Sequence, residues 1–490
     1  MKGSSPAVPA ESSWSPRLAL LVAATFFMEF LDGTVLTTAI PSIAADFSVP
    51  AADVNITMTA YLMTVAMGIP LSSWLAERLG ARRIFCLAIA IFTAASLLCA
   101  LSQDLTMLTL SRVLQGAGGA MMVPVGTLVV LRGTPKKELL RATAFLVWPG
   151  LLAPVLAPLV GGALTTYLSW HWIFLINLPL GLAAFLAALR LVPSVTGDRT
   201  RRLDWFGLAL TTLGVGSLLV GLELIGGRDA GLLAAAGIVA GLLFLTAAAA
   251  WMRRTSTPLF NLSVFGARTF RATATGGFVY RLTISAVPFL LPLMFQAGFG
   301  WDPLRAGAMV SAVFVGNIGI KPATTPLIRR FGFKPVLVFA SLASAATFAL
   351  CALLDAGTPE ALIVGVLVAS GAFRSIGFSA YASVQYADVA PAQLPSANAV
   401  SATLVQLSTA AGIAVGALLL RVFEASSQAA GATGLATGDP AAPYRAAFVA
   451  IAVLMLLSTL DSLALPRHAG AEVSRPGPAP AAERRRRRRA

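Results

Sequence analysis

The chain has 490 residues, of which 57% are hydrophobic and only 12% charged, about half the charge of a soluble protein. Its mean hydropathy is +0.80, and apolar runs of about 20 residues, each enough to cross a bilayer, follow one another from end to end. This excludes a soluble enzyme or a nucleic-acid-binding domain, and the net charge of +15 gathers in alternate loops, as topology-setting charge does.

Two histidines, His171 and His468, and three scattered cysteines, Cys86, Cys99 and Cys351, offer neither metal-ligand spacing nor a disulfide framework. No phosphate-binding loop of the G-x-x-x-x-G-K-[ST] type occurs, which argues against ATP as an energy source.

A polar segment, 1–17, precedes an apolar run that carries Glu29 and Asp32 and continues past Ile40. It is too long and too charged for a cleaved signal and reads as a retained first span. Fourteen spans are predicted, at about 18–41, 54–76, 84–102, 105–130, 142–166, 171–192, 205–224, 231–252, 273–296, 305–327, 335–354, 361–385, 397–420 and 445–466. An even number puts both termini on one side. Loops on that side carry Arg78, Arg82 and Arg83, then Arg132, Lys136, Lys137 and Arg141, then Arg190, Arg199, Arg201 and Arg202. They continue with Arg253, Arg254, Arg268 and Arg271, and with Arg329, Arg330 and Lys334. The opposite loops hold little beyond Arg228, Arg305, Arg421 and Arg445, so both termini are expected in the cytoplasm. A Pro/Ala-rich tail, 467–490, ends in Arg484 to Arg489 and is expected to stay disordered near anionic lipid.

The chain repeats. Arg78-Leu79-Gly80-Ala81-Arg82 follows span 2, and Arg330-Phe331-Gly332-Phe333-Lys334 follows span 10, its glycine 252 residues after Gly80. The expected fold is all-α and integral to the membrane: a six-helix bundle over 18–192, a linker with two inserted helices over 193–252, and a second six-helix bundle over 253–466. Parallel repeats with a site at their interface are a transporter architecture.

The intramembrane charges are the candidate site. Asp32, mid-span, is the first candidate for a proton-handling carboxylate, and Glu29, three residues earlier on the same helix face, is the second. The alternative is a structural, hydrogen-bonding aspartate beside Gly33. Arg112 needs a polar cavity or a partner, and Gln115, three residues on, is a candidate hydrogen-bond partner. In span 5, Gly150, Pro154, Pro158 and Gly162, with Gly161 beside them, form a small-residue stripe suited to close packing and bending. Arg281, Lys321 and Arg374 lie in spans 9, 10 and 12, which contain no carboxylate. Such cations point to a wet cavity and an anionic substrate, unless Lys321 snorkels to the interface.

Five stretches resemble the major facilitator superfamily, in particular its fourteen-helix drug:proton antiporter branch. They are Leu31-Asp32-Gly33-Thr34-Val35 with Ala39-Ile40-Pro41; Trp74 to Arg83, with Ser73 and Glu77 replacing the usual glycine and aspartate; Arg112 to Gly116; Ala157-Pro158-Leu159-Val160-Gly161-Gly162, with Ala157 replacing a glycine; and Trp170 to Gly181. The resemblance implies proton-coupled export of amphipathic drugs from a bacterial cytoplasmic membrane, with no cofactor and the proton gradient as energy source. It makes Glu29, Asp32, Arg112 and Gln115 the proton and substrate pathway, span 5 the antiporter helix, and Glu77, Arg78, Gly80, Arg82 and Arg83 a cytoplasmic gate. Gly316-Asn317-Ile318-Gly319-Ile320-Lys321-Pro322 resembles a subgroup linked with citrate-type export, so a small carboxylate, alone or with bound metal, is the alternative substrate. A third reading is a non-transporting membrane sensor. The expected partners are a small molecule, protons and membrane lipid, with a periplasmic adaptor open, no nucleic acid, and a monomeric state.

Overall fold

The computed structural model describes residues 15–36, 39–135, 138–194, 197–200, 202–225, 231–301, 303–432, 439–466 and 469–470. Lys136, Lys137, Arg201, Arg228, Arg467, His468 and the arginine tail lie outside the described residues, as do the side chains of Gly150, Pro154 and Pro158. Among the described residues all regular structure is helical. The first bundle comprises α1 (Pro16–Val35), α2 (Ile40–Asp46), α3 (Ala51–Leu79), α4 (Ala81–Ala100), α5 (Leu105–Arg132), α6 (Leu139–Tyr167), α7 (Trp172–Leu175) and α8 (Asn177–Leu191). A hairpin of α9 (Trp205–Leu224) and α10 (Gly231–Met252) follows. The second bundle comprises α11 (Arg268–Ala274), α12 (Gly276–Leu293), α13 (Pro303–Gly319), α14 (Lys321–Phe331), α15 (Phe333–Cys351), α16 (Glu360–Val384), α17 (Leu394–Ala432) and α18 (Ala442–Ala464).

Twelve of the described helices are long and apolar enough to cross a membrane, or thirteen if α13 and α14 count as one span bent by 48°. The 29-residue α6 occupies the remaining predicted position, so the architecture is compatible with fourteen spans. The boundaries are corrected in four places. α1 stops at Val35, and the separate α2 begins at Ile40 with Pro41 in its first turn, so the first span does not run to 41. The sixth span breaks at Ile176. The ninth breaks at Thr275, carries Pro288 and Pro292, and ends in a π-turn over Met294–Gly298, where prolines that donate no N–H have loosened the preceding ladder. The tenth runs on to Phe331, bent ahead of Pro322.

The short sequence repeat has a structural meaning. Gly80 joins α3 to α4 at φ +93°, and Gly332 joins α14 to α15 at φ +84°. Side chains are disfavoured at such angles, so both repeats use glycine to end one helix and begin the next without a loop.

Within the first bundle α1 packs on α5 and α6, and α5 on α3 and α4; within the second, α12 packs on α17 and α13 on α16. α9 touches α3 of one bundle and α17 of the other. Asp204 caps α9 through the Gly207 amide (2.8 Å) and also accepts from the Trp251 indole (2.8 Å) and the Leu259 amide (3.2 Å). One buried carboxylate thus ties both hairpin helices to the segment entering the second bundle.

The bundles are joined toward the end where α1 begins and α18 finishes. There Thr143 of α6 and Ser383 of α16 share a hydroxyl hydrogen bond of 2.7 Å. The Asn398 amide of α17 donates to the Pro124 carbonyl of α5 at 2.6 Å. Leu131, Leu139 and Leu140 of the first bundle pack into the apolar core of the second.

Candidate functional site

Two polar groupings lie inside the helices, and Glu29 and Asp32 belong to different ones. Asp32 sits in a closed network among α1, α4, α5 and α8. Arg112 Nη1 donates to Asp32 Oδ2 at 2.5 Å and to Gln115 Oε1 at 2.7 Å. Gln115 Nε2 donates to Asp32 Oδ1 (2.9 Å) and to Ser96 Oγ (2.8 Å), and Asn177 Nδ2 donates to Asp32 Oδ1 (2.8 Å). The Arg112 guanidinium lies over the Tyr61 ring, 4.1 Å from its centre, and both ionic side chains are fully buried. A charge pair in low dielectric is held best when its remaining lone pairs and protons are also satisfied; the two amides do this for the Asp32 carboxylate, while Arg112 Nη2 is buried without a partner among the described residues. The expected Arg112–Gln115 contact is present, an i, i+3 pair on α5.

Glu29 faces elsewhere. It lines a cavity of 470 Å³ between the bundles, at a place where Gly119 of α5 has no side chain: a Cβ there would lie 3.3 Å from Glu29 Oε1. Its Oε2 is buried without a hydrogen-bond partner among the described residues. Across the cavity stand Arg281 of α12 and Arg374 of α16. Arg374 Nη2 donates to the Ile284 carbonyl at 2.7 Å. Arg281 Nε and Arg374 Nε and Nη1 have no partner among the described residues. Phe26, Phe30, Phe314 and Phe378 make much of the apolar wall.

Lys321 does not join them. It is absent from the cavity wall and donates to Ser379 Oγ at 2.6 Å, at the bend between α13 and α14. It is 6% exposed, which overturns snorkelling. The bend itself rests on close packing: a Cβ on Gly316 would lie 1.9 Å from the Val368 carbonyl, and one on Gly371 1.9 Å from that of Val313.

The loop stretch lies far from the cavity, at the α3–α4 junction. The Asp198 amide donates to the Glu77 carbonyl at 2.9 Å, Arg82 donates to the Leu189 carbonyl, and Arg78 lies over Trp74 at 5.0 Å. Arg83 is exposed. These contacts bind the loop to its own bundle and to the segment after α8. In α6, Gly161 accepts from Thr165 Oγ1 at 2.7 Å, and Gly162 has open space around it. Among the described residues no group of three or more metal-ligating side chains gathers.

Asn177, Ser96 and Tyr61 were not foreseen. Asn177 lies within the Trp170 to Gly181 stretch, and an amide opening an apolar helix was its one available signal.

Two helical bundles with unpaired charges facing a cavity at their interface define a polytopic membrane transporter. The sequence pattern of the Major Facilitator Superfamily matches residues 22–201 and 273–489, and the chain belongs to that family. The unmatched stretch between the blocks holds α9 and α10. The chain is similar to proteins bearing the name "Putative multidrug resistance protein MdtD". The one from Pectobacterium atrosepticum is 38% identical over 406 residues, covering 82% of this chain and 86% of the relative. The one from Cronobacter sakazakii is 37% identical over 457 residues, covering 91% and 94%. Among solved structures, the human organic anion transporter MFSD10 superposes with a TM-score of 0.63 at 16% identity, covering 93% of this chain and 100% of that one. The proton:xylose symporter XylE superposes with a TM-score of 0.59 at 14% identity, covering 94% and 98%. At these identities the structures speak to fold alone.

Proposed function

We propose that the protein exports amphipathic drugs or other toxic small molecules across the bacterial cytoplasmic membrane in exchange for protons. The observation that carries this reading is the largely apolar cavity between two bundles with a buried, unpartnered Glu29 carboxylate in its wall. The multidrug-resistance names of the MdtD relatives support the substrate class. In this reading both termini are cytoplasmic, and the Thr143–Ser383 and Asn398–Pro124 contacts hold the cytoplasmic side shut. Glu29 exchanges the proton with the cavity. The Asp32–Arg112 network holds α1 against α5 and α8, so that the bundle rocks as one body, and the Glu77–Arg83 loop steadies its cytoplasmic face. The span-5 motif, Gly150, Pro154, Pro158, Gly161 and Gly162, marks α6 as the antiporter helix in this reading. The driving force is the proton gradient, without a cofactor.

A second reading, export of a small carboxylate, is favoured by the two cavity arginines, which have no carboxylate partner among the described residues. Proteoliposomes with an imposed pH gradient separate the two. We expect gradient-driven movement of a lipophilic cationic dye, abolished in Glu29→Gln. Movement of citrate and not of dye would establish the second reading, and movement of neither, across a wider panel, would remove transport altogether.

A further inference from the structure

The cavity wall carries both signs of charge, segregated by bundle. Glu29 of α1, 7% exposed, is on one side; Arg281 of α12 and Arg374 of α16, 3% and 9% exposed, are on the other. The Arg374–Ile284 hydrogen bond anchors the second guanidinium one helical turn from Arg281 on α12. Two cations therefore share one wall of the cavity, with three N–H-bearing nitrogens between them that lack acceptors among the described residues. No ion pair joins Glu29 to either arginine among the described residues. Buried charges without partners are costly, and here a ligand can supply the partners on both sides. A monocation would satisfy Glu29 and meet two arginines; a monoanion would satisfy the arginines and meet a carboxylate.

We propose that the cavity selects an amphipathic zwitterion, with a cationic nitrogen against Glu29, a carboxylate or similar oxyanion against Arg281 and Arg374, and an apolar body against the phenylalanines between them. This rests on the transport reading for its physiological meaning, but the binding site stands on the wall itself. Such a ligand bridges the two bundles, so its binding is coupled to their relative position.

The test uses one skeleton in three charge states: 4′-(aminomethyl)biphenyl-4-carboxylic acid, its methyl ester, which keeps only the cation, and its N-acetyl derivative, which keeps only the anion. Binding is measured by calorimetry on the full chain in nanodiscs, and movement in proteoliposomes. The zwitterion is expected to bind about tenfold or more tighter than either singly charged form, the scale of a charge-assisted hydrogen bond. Glu29→Gln should erase its advantage over the N-acetyl form alone, and Arg281→Gln or Arg374→Gln its advantage over the ester alone. Equal or tighter binding of a singly charged form by wild type, or no binding of the zwitterion, overturns the proposal without recourse to any variant. If the zwitterion preference is present but no compound moves, dye and citrate included, the transport reading falls and the site assignment stands.

Discussion

Asp32 and Glu29, one helical turn apart, predict opposite mutational behaviour. Asp32→Asn leaves the Arg112 charge buried without a carboxylate, and breaking such a pair costs about 3–5 kcal/mol; we expect a large fall in the thermal unfolding midpoint. Glu29→Gln breaks no hydrogen bond among the described residues, so its unfolding should stay within about 1 kcal/mol of wild type while gradient-driven transport is lost. Asn177→Ala removes one charge-assisted donor to Asp32 and should lower stability by about 1–3 kcal/mol, again read from unfolding. The sequence shows Asp32, Arg112 and Gln115 as charged or polar groups in apolar runs. It does not show that three helices close on Asp32 and leave Glu29 to the cavity. That division depends on the missing side chain at Gly119, on a different helix 90 residues away in the chain.

Among helices, the predictions concern glycine. Gly80→Ala and Gly332→Ala place a Cβ at positive φ and should each destabilise by roughly 1–2 kcal/mol, with no direct effect on the cavity. Gly162→Ala, in open space on α6, should be neutral or stabilising by up to about 1 kcal/mol. Differential unfolding of the three variants checks both statements. Spans were legible because hydrophobic length and alternating loop charge are local properties. The breaks at Ile176 and Thr275 also have local signals, though weaker ones: Pro179 has no N–H for the Leu175 carbonyl four residues before it, and Gly276-Gly277 follows Thr275 directly. At Gly276 a Cβ would sit 2.6 Å from that of Asp461 on α18.

For the whole molecule, the junction between bundles is the testable feature. With the native cysteines Cys86, Cys99 and Cys351 replaced, Thr143→Cys with Ser383→Cys should form a cross-link on oxidation, because their hydroxyls already lie 2.7 Å apart. Transport should stop on oxidation and return on reduction; transport that continues through a complete cross-link would refute movement of α6 against α16. The repeat of basic-x-Gly-x-basic and the span order made the two-bundle plan readable in advance. The grouping of charges around the cavity was not, since Arg281, Lys321 and Arg374 look alike in the sequence, yet only the two arginines reach the wall.

The make-up of that wall has a further, optical consequence. The chain has eight tryptophans, and among the described residues none of them lines the cavity. Trp251 is hydrogen-bonded to Asp204 and packed on Phe206 in the hairpin, and Trp170 is stacked on His171 and donates to Asp46. Tryptophan emission from the native chain therefore arises from sites outside the wall, these two among them, and not from a ring in direct contact with a ligand in the cavity. Phe314→Trp would put one tryptophan into the wall, and its change in emission on ligand addition, taken as the difference from the native chain, would report occupancy.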